Sequence, residues 1–301
     1  MTKQNIGALQ AAASAAGFAT LAILIKLAYQ AGANVITILA ARFLIAVLFL
    51  VLVATMRGIS LSVKKKTRGQ LCLLGVLGYG GMSLLFASSL QYLPASLAAM
   101  LLYTYPALVT IISFLLGTER FSLPKGLALT VCFIGLSLVL GVSFSGTHPV
   151  GIMLALGSAI IYSCYIVIGN QLLKEVDVLV TTIYVCASAA TIFIAGGIAT
   201  GNINLALPLQ GWLALLGIAI FPTIIGILGF FAGMAHIGAA NASIISTVEP
   251  VITVILAALL LNESVTLLQA TGGALVLSGI IILQLWAKDS VKKAGRNTTP
   301  C

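Results

Sequence analysis

The sequence predicts an all-α integral membrane protein: ten transmembrane helices arranged as two inverted five-helix repeats. Three observations carry this. Of 301 residues, 60% are hydrophobic and only 7% charged, with a mean hydropathy of +1.18, well beyond the composition of a soluble domain that must clothe itself in charge. Apolar stretches of the length a bilayer demands recur ten times. A span needs about 20 residues because each adds about 1.5 Å of rise against a hydrocarbon core of about 30 Å. Finally, adding 144 to a residue number in the first half lands, without a gap, on a matching residue in the second: Gly7 on Gly151, Ser14 on Ser158, Ala95 on Ala239, Pro106 on Pro250, Glu119 on Glu263 and Gly135 on Gly279. Five spans per copy is an odd number, so the second copy must insert upside down.

The predicted spans are 6–29, 34–56, 69–91, 95–117, 124–142, 149–171, 178–199, 209–232, 239–261 and 266–286. Span 1 is too long, too Ala-rich and too closely followed by span 2 to be a cleaved leader, so the amino terminus is expected to stay attached. Span 2 follows Asn34 and Thr37 and carries Arg42; span 3 follows a basic segment and carries Tyr79. Spans 4 and 9 hold Pro106 and Pro250 and close on Glu119 and Glu263, at opposite membrane faces. Span 8 holds Pro222 followed by Gly226, Gly229 and Gly233, a pattern that permits bending and close packing. Residues 1–144 form the first repeat and 145–288 the second; 289–301 are a polar, basic tail expected to be disordered.

A formal charge of +9 invites a nucleic-acid reading, but the cations sit where membrane topology would place them. With the amino terminus inside, Lys3, Arg57, Lys64, Lys65, Lys66, Arg68, Arg120, Lys125, Lys174, Lys288, Lys292, Lys293 and Arg296 are cytoplasmic, thirteen of the fifteen basic residues. The outer segments near 30–33, 92–94, 143–148 and 200–208 contain none. Both termini are therefore expected in the cytoplasm. The remaining two cations, Lys26 and Arg42, lie within spans. Lys26 can snorkel to the outer surface. Arg42 lies deeper and needs an acceptor, and Glu249 is the carboxylate at similar depth.

Glu249 stands about ten residues into span 9, near the bilayer midplane, where a carboxylate costs about 2.5–3.5 kcal/mol on insertion scales unless it meets water, a partner or a ligand. Helical spacing puts Ala239, Ala242, Ser246, Glu249, Thr253 and Ala257 on one small, polar face of an otherwise aliphatic helix. Two readings fit: a group responsive to protons or solute in a cavity, or a protonated side chain bonded to a neighbouring helix. Tyr105 is its repeat equivalent. Pro106 and Pro250 lack an N–H and free a carbonyl one turn earlier, marking mid-membrane hinges or static kinks. Tyr79, Tyr103, Tyr105, Tyr162 and Tyr165 lie away from the interfaces where membrane aromatics gather, and buried phenols need partners that a solute cavity supplies. Ser14, Ser83, Ser158, Thr223 and Ser246 share that depth, either as ligands or as helix-to-backbone hydrogen bonds.

Of five cysteines, Cys72, Cys132, Cys164 and Cys186 lie in apolar spans and Cys301 ends the chain; none shows metal spacing. No Walker motif or other nucleotide-binding loop occurs. The connections leave no room for a soluble catalytic domain. No cofactor or metal is expected.

These residues resemble the drug/metabolite transporter superfamily in its EamA-type branch, over about residues 1–290. The most specific stretches run from Pro106 to Glu119-Arg120 and from Glu249-Pro250 to Asn262-Glu263; Arg42-Phe43 after Asn34 and Thr37 also fits. The resemblance implies ten helices in two inverted repeats, a central cavity, both termini inside and a small-metabolite solute, commonly exported across the cell membrane. The expected function is therefore secondary transport by alternating access, with Glu249 as the proton- or substrate-responsive group and Tyr79, Tyr103, Tyr105, Tyr162, Ser14, Ser158 and Ser246 around the solute. A facilitative pore is the alternative, although no charged rings line one path. An intramembrane enzyme is a weaker one, since His148 falls in a loop and His236 near a span end.

Overall fold

The computed structural model describes residues 3–115, isolated positions within 123–138, 148–172, 175–237, 245–246, 248–268, 270–279 and 281–282. Most of span 5, the loop bearing Glu119 and Arg120, Lys125, Lys174, Ala239, Ala242, Thr247, Cys132 and the tail with Cys301 lie outside the described residues, as does the Pro106 side chain.

Among the described residues every regular element is a helix, joined by short turns and loops. The first half runs α1 (Lys3–Ala19), α2 (Leu21–Gln30), α3 (Val35–Met56), α4 (Lys65–Leu73), a π-helical segment π1 (Leu74–Gly80), α5 (Gly81–Ser89), α6 (Ala95–Leu102) and α7 (Tyr105–Leu115). The second runs α8 (Pro149–Leu172), α9 (Val178–Thr200), α10 (Leu209–Ile218), π2 (Ala219–Ile225), α11 (Gly226–Ile237), α12 (Glu249–Leu261) and a short α13 (Ala270–Gly279). Among the described residues six continuous runs are long and apolar enough to cross a membrane: Asn5–Gln30, Val35–Met56, Lys65–Ser89, Pro149–Gly169, Val178–Thr200 and Leu209–Phe230. They coincide with spans 1, 2, 3, 6, 7 and 8. Spans 4, 9 and 10 are present as shorter apolar helices among the described residues.

Polarity is arranged inside out relative to a soluble protein. On α3, Leu44, Leu48, Leu52 and Met56 form an exposed apolar stripe at fourfold spacing, while the opposite face buries Leu39, Arg42, Phe43, Ala46, Leu50 and Ala54. An exposed leucine stripe costs nothing in hydrocarbon, and the polar groups turn inward. Helix ends are capped where the chain leaves the apolar region. Asn34 accepts from the Thr37 N–H at 2.8 Å, and Asp177 accepts from Leu179 N at 2.8 Å at the start of α9.

Contacts between the halves come in pairs. Ser14 donates to the Gly226 carbonyl at 2.6 Å, tying α1 to α11. Ser158 donates to the Met82 carbonyl at 3.1 Å, tying α8 to α5. Ser158 is the repeat equivalent of Ser14, and Met82 that of Gly226. A Cβ at Gly7 would stand 2.6 Å from His236 Cβ and 2.7 Å from Ile237 Cγ2; at Gly151 it would stand 2.7 Å from Tyr92 Cβ and Leu93 Cγ, the same pair carried over by the repeat register. Only glycine lets these helices approach so closely. The α3 and α9 helices pack against one another, α3 also touching π2 and α9 touching π1.

Candidate functional site

The prolines of spans 4 and 9, expected as mid-membrane hinges or static kinks, stand where helices restart. Helix α6 stops at Leu102, Tyr103 and Thr104 form a turn, and α7 restarts at Tyr105; α12 likewise starts at Glu249 after a turn at Val248. Pro106 and Pro250 therefore occupy the second position of a new helix, where a missing N–H costs nothing and the fixed φ suits the first turn. Both restarts fall in one register, since Glu249 and Tyr105 are repeat equivalents. Side-chain hydroxyls bond carbonyls on either side of the breaks. Thr104 Oγ1 donates to Leu101 O at 2.8 Å, Ser163 Oγ to Tyr105 O at 3.1 Å, Tyr103 Oη to Ser246 O at 2.5 Å, and Thr253 Oγ1 to Glu249 O at 3.1 Å.

Glu249 is thus the first residue of a helix, where the positive end of the helix dipole favours a carboxylate. It is half-buried and lines a cavity with Phe18, Leu21 and Ala22 from span 1, Phe86 from α5, Ala99, Leu102 and Tyr103 from span 4, and Pro250 and Thr253. The space open to a water centre is about 20 Å³, room for about one water. No hydrogen bond to the carboxyl group occurs among the described residues. Beyond Tyr103 and Pro250 lies a larger apolar cavity of about 210 Å³, bounded by Met100, Val254 and Ile255 and by Gly273, Val276 and Leu277 of α13.

The tyrosines form one chain of ring contacts. Phe193 stacks on Phe43 at 6.0 Å between centroids, Phe43 meets Tyr79 edge-on at 5.7 Å, and Tyr79 meets Tyr165 at 5.4 Å. Tyr165 stacks on Tyr162 at 5.9 Å, Tyr162 meets Tyr105 edge-on at 4.8 Å, and Tyr105 meets Tyr103 at 5.4 Å. Such pairs contribute about 0.5–1.5 kcal/mol each beyond area burial. Four of the five hydroxyls divide into two groups. Those of Tyr79 and Tyr103 are engaged with Arg42 and with Ser246. Those of Tyr162 and Tyr165 make no hydrogen bond among the described residues, and both side chains are half-buried.

Arg42 is 1% exposed. Its Nε donates to Thr223 Oγ1 at 2.8 Å and its Nη2 to Tyr79 Oη at 3.0 Å, with Cζ 5.0 Å from the Phe43 ring centroid and 5.6 Å from that of Tyr79. Its acceptors are these hydroxyls and not Glu249, so the direct ion pair considered from depth alone is absent. Two neutral hydroxyls and two ring faces take the place of a carboxylate. Thr223 is available because of its neighbour. Pro222 in π2 frees the Ile218 carbonyl one turn back, Thr223 Oγ1 donates to that carbonyl at 2.8 Å, and its lone pair receives Arg42.

The other predicted residues have structural settings. The Ser14 and Ser158 hydroxyls are buried and spent on neighbouring helices. Ser246 is buried beside the break, its carbonyl held by Tyr103. Lys26 is half-buried on α2. Glu263 accepts Ala95 N at 2.6 Å, Ser96 N at 3.0 Å and Ser96 Oγ at 2.8 Å, capping α6. Sequence reasoning missed Phe18 and Phe86 as cavity walls. The repeat register held the signal for Phe18, whose equivalent in the second half is Tyr162.

Comparison with known proteins agrees with this geometry. The sequence profile of the EamA-like transporter family matches residues 5–141 and again 149–285, two matches set in the same register that relates the paired contacts. The chain is 26% identical over 247 residues to the uncharacterized transporter YyaM of Bacillus subtilis (78% of this chain, 79% of the relative) and 29% over 267 residues to YcbK of the same organism (85% of each). It is 27% identical over 197 residues to an uncharacterized transporter of Archaeoglobus fulgidus (65% of this chain, 70% of the relative). A solved crystal structure shares the fold with a TM-score of 0.70 at 20% identity, covering 94% of this chain and 98% of that one. On the double family match and the membrane-length helices, the chain belongs to the EamA-like transporter family of the drug/metabolite transporter superfamily and is a multi-pass membrane transporter of a small molecule.

Proposed function

We propose that the protein is a secondary exporter of a small metabolite such as an amino acid, working by alternating access in the cell membrane. Ten helices form two inverted repeats, 1–144 and 145–288, with both termini and the tail 289–301 cytoplasmic. The observation that carries this reading is Glu249: a carboxyl group at the start of an interrupted helix, without a hydrogen-bond partner among the described residues, facing a small cavity between spans 1, 3, 4 and 9. Interrupted helices at mid-membrane are where secondary transporters hold ions and solutes. The Tyr105, Tyr162 and Tyr165 rings, at the equivalent place in the other half, supply an apolar and hydrogen-bonding wall.

A cavity of about 20 Å³ is far below the roughly 300 Å³ and more that ligand pockets enclose, so the halves must part for solute to enter. Glu249 takes up a proton from water when the cavity opens to one side and returns it to water when the cavity opens to the other. The direct test is purified protein in liposomes loaded with mixed amino acids and other metabolites, with and without an imposed pH gradient. Saturable, counterflow-competent efflux driven by the gradient is the expected result. Non-saturable flux without counterflow would identify a pore.

A further inference from the structure

We propose that Arg42 is the positioning residue that couples the two halves, passing movement of one π-helical segment to the other. Tyr79 lies in π1 and Thr223 in π2, and the two are repeat equivalents. One guanidinium donates to both, at 3.0 Å and 2.8 Å. A group that touches both members of an equivalent pair has to sit at the axis that exchanges them. Arg42 therefore occupies the pivot between the repeats, and Cys186, its own equivalent on α9, is also fully buried.

The chemistry of the contact fits a coupling role. Arginine carries separate N–H groups in a rigid fork and can aim at two acceptors at once, which a lysine ammonium on a flexible stem does poorly. Both acceptors belong to segments with i→i+5 geometry, a local widening that recurs at functional sites in otherwise regular helices. In π2 the widening coincides with Pro222, and in π1 with the glycines of Leu74-Gly75-Val76-Leu77-Gly78-Tyr79-Gly80. Such segments bend more readily than α-helix on either side. A rigid fork between two bendable segments makes them bend together.

The inference rests on the alternating-access reading for the movement that is coupled, so its test reads coupling and transport separately. Spin labels on exposed Leu77 in π1 and Phe221 in π2 report the distance between the segments in liposomes. The intact protein should give one narrow distance distribution. Tyr79→Phe and Thr223→Val each remove one arm and should broaden it or add a second distance; Thr223→Ser keeps the hydroxyl and should restore it. Maximal transport rate per folded molecule should fall about fivefold in Tyr79→Phe, the factor that a hydrogen bond of ordinary net strength carries, with KM within about twofold. Arg42→Lys, which retains charge without the fork, should resemble the single-arm losses. An unchanged distance distribution in Tyr79→Phe and in Thr223→Val, with unchanged rate, would overturn the coupling role and leave Arg42 as packing. Loss of saturable transport by the unmodified protein, with the distance effect intact, would instead overturn the transport reading alone.

Discussion

Glu263 closes the start of α6 from 168 residues away, both carboxylate oxygens engaged by Ala95 N, Ser96 N and Ser96 Oγ. A charged acceptor on the first N–H groups of a helix does the work that a local cap residue does elsewhere, strengthened by the dipole. Pro94 immediately before α6 carries no side-chain acceptor, so the cap has to come from outside. Glu263→Gln should lower stability by about 1–2 kcal/mol, read as a drop in the detergent melting temperature, with Ser96→Ala costing less. Equal melting of Glu263→Gln and the parent would show that the carboxylate charge contributes nothing.

Glu249 is expected to behave in the opposite way. Its carboxyl group has no hydrogen bond among the described residues, so Glu249→Gln removes a possible charge without breaking a contact. The variant should insert and melt like the parent while its transport loses pH dependence or fails altogether. An unchanged rate and pH profile in liposomes would make the residue a structural element.

The tyrosine hydroxyls should separate into two classes. Tyr103→Phe breaks the bond to Ser246 across the two interrupted spans and should cost about 1 kcal/mol of stability with little effect on the affinity of surviving protein. Tyr162→Phe breaks no hydrogen bond among the described residues and should leave melting unchanged while apparent solute affinity falls about fivefold. The reverse assignment, with Tyr162→Phe melting early and binding normally, would remove Tyr162 from the solute wall.

Close helix approach gives a fourth expectation. A Cβ at Gly17 would lie 2.6 Å from the Phe221 carbonyl oxygen, whereas one at Gly196 meets nothing within 4 Å. Gly17→Ala forces α1 away from π2 and should destabilise by about 1–3 kcal/mol. Gly196→Ala should be neutral or slightly stabilising through helix propensity. Thermal melting of the pair in one detergent decides it.

Much of this architecture was legible in the amino-acid order. Span positions follow from apolar length, and the register that pairs Gly7 with Gly151 reappears as matched contacts because duplicated sequence folds to duplicated packing. The sequence also placed Glu263 at a span boundary, though not its partners at the start of α6. What escaped was local hydrogen-bond geometry. Pro106 and Pro250 read as mid-membrane hinges or static kinks, because sequence shows a proline in an apolar run and not where the chain will restart. The partners of Arg42 escaped as well. Depth singled out Glu249 as the carboxylate within reach, but which helices adjoin is decided by packing, and the packing brought Thr223 and Tyr79. The Glu249 cavity walls Phe18 and Phe86 looked like ordinary bulk, since nothing in a single apolar side chain announces what it faces.

The Ser14 contact bears on how the chain is made. Its acceptor, the Gly226 carbonyl, lies 212 residues downstream, which at about 5–20 residues per second leaves the hydroxyl waiting roughly 10–40 s during synthesis. Ser158 faces the reverse situation, because Met82, 76 residues upstream, is already in place when it emerges. Span 1 must therefore sit in lipid as an incomplete half-pair until span 8 arrives. A ribosome stalled before residue 226 would hold an N-terminal helix whose Ser14 hydroxyl has no Gly226 carbonyl to bond.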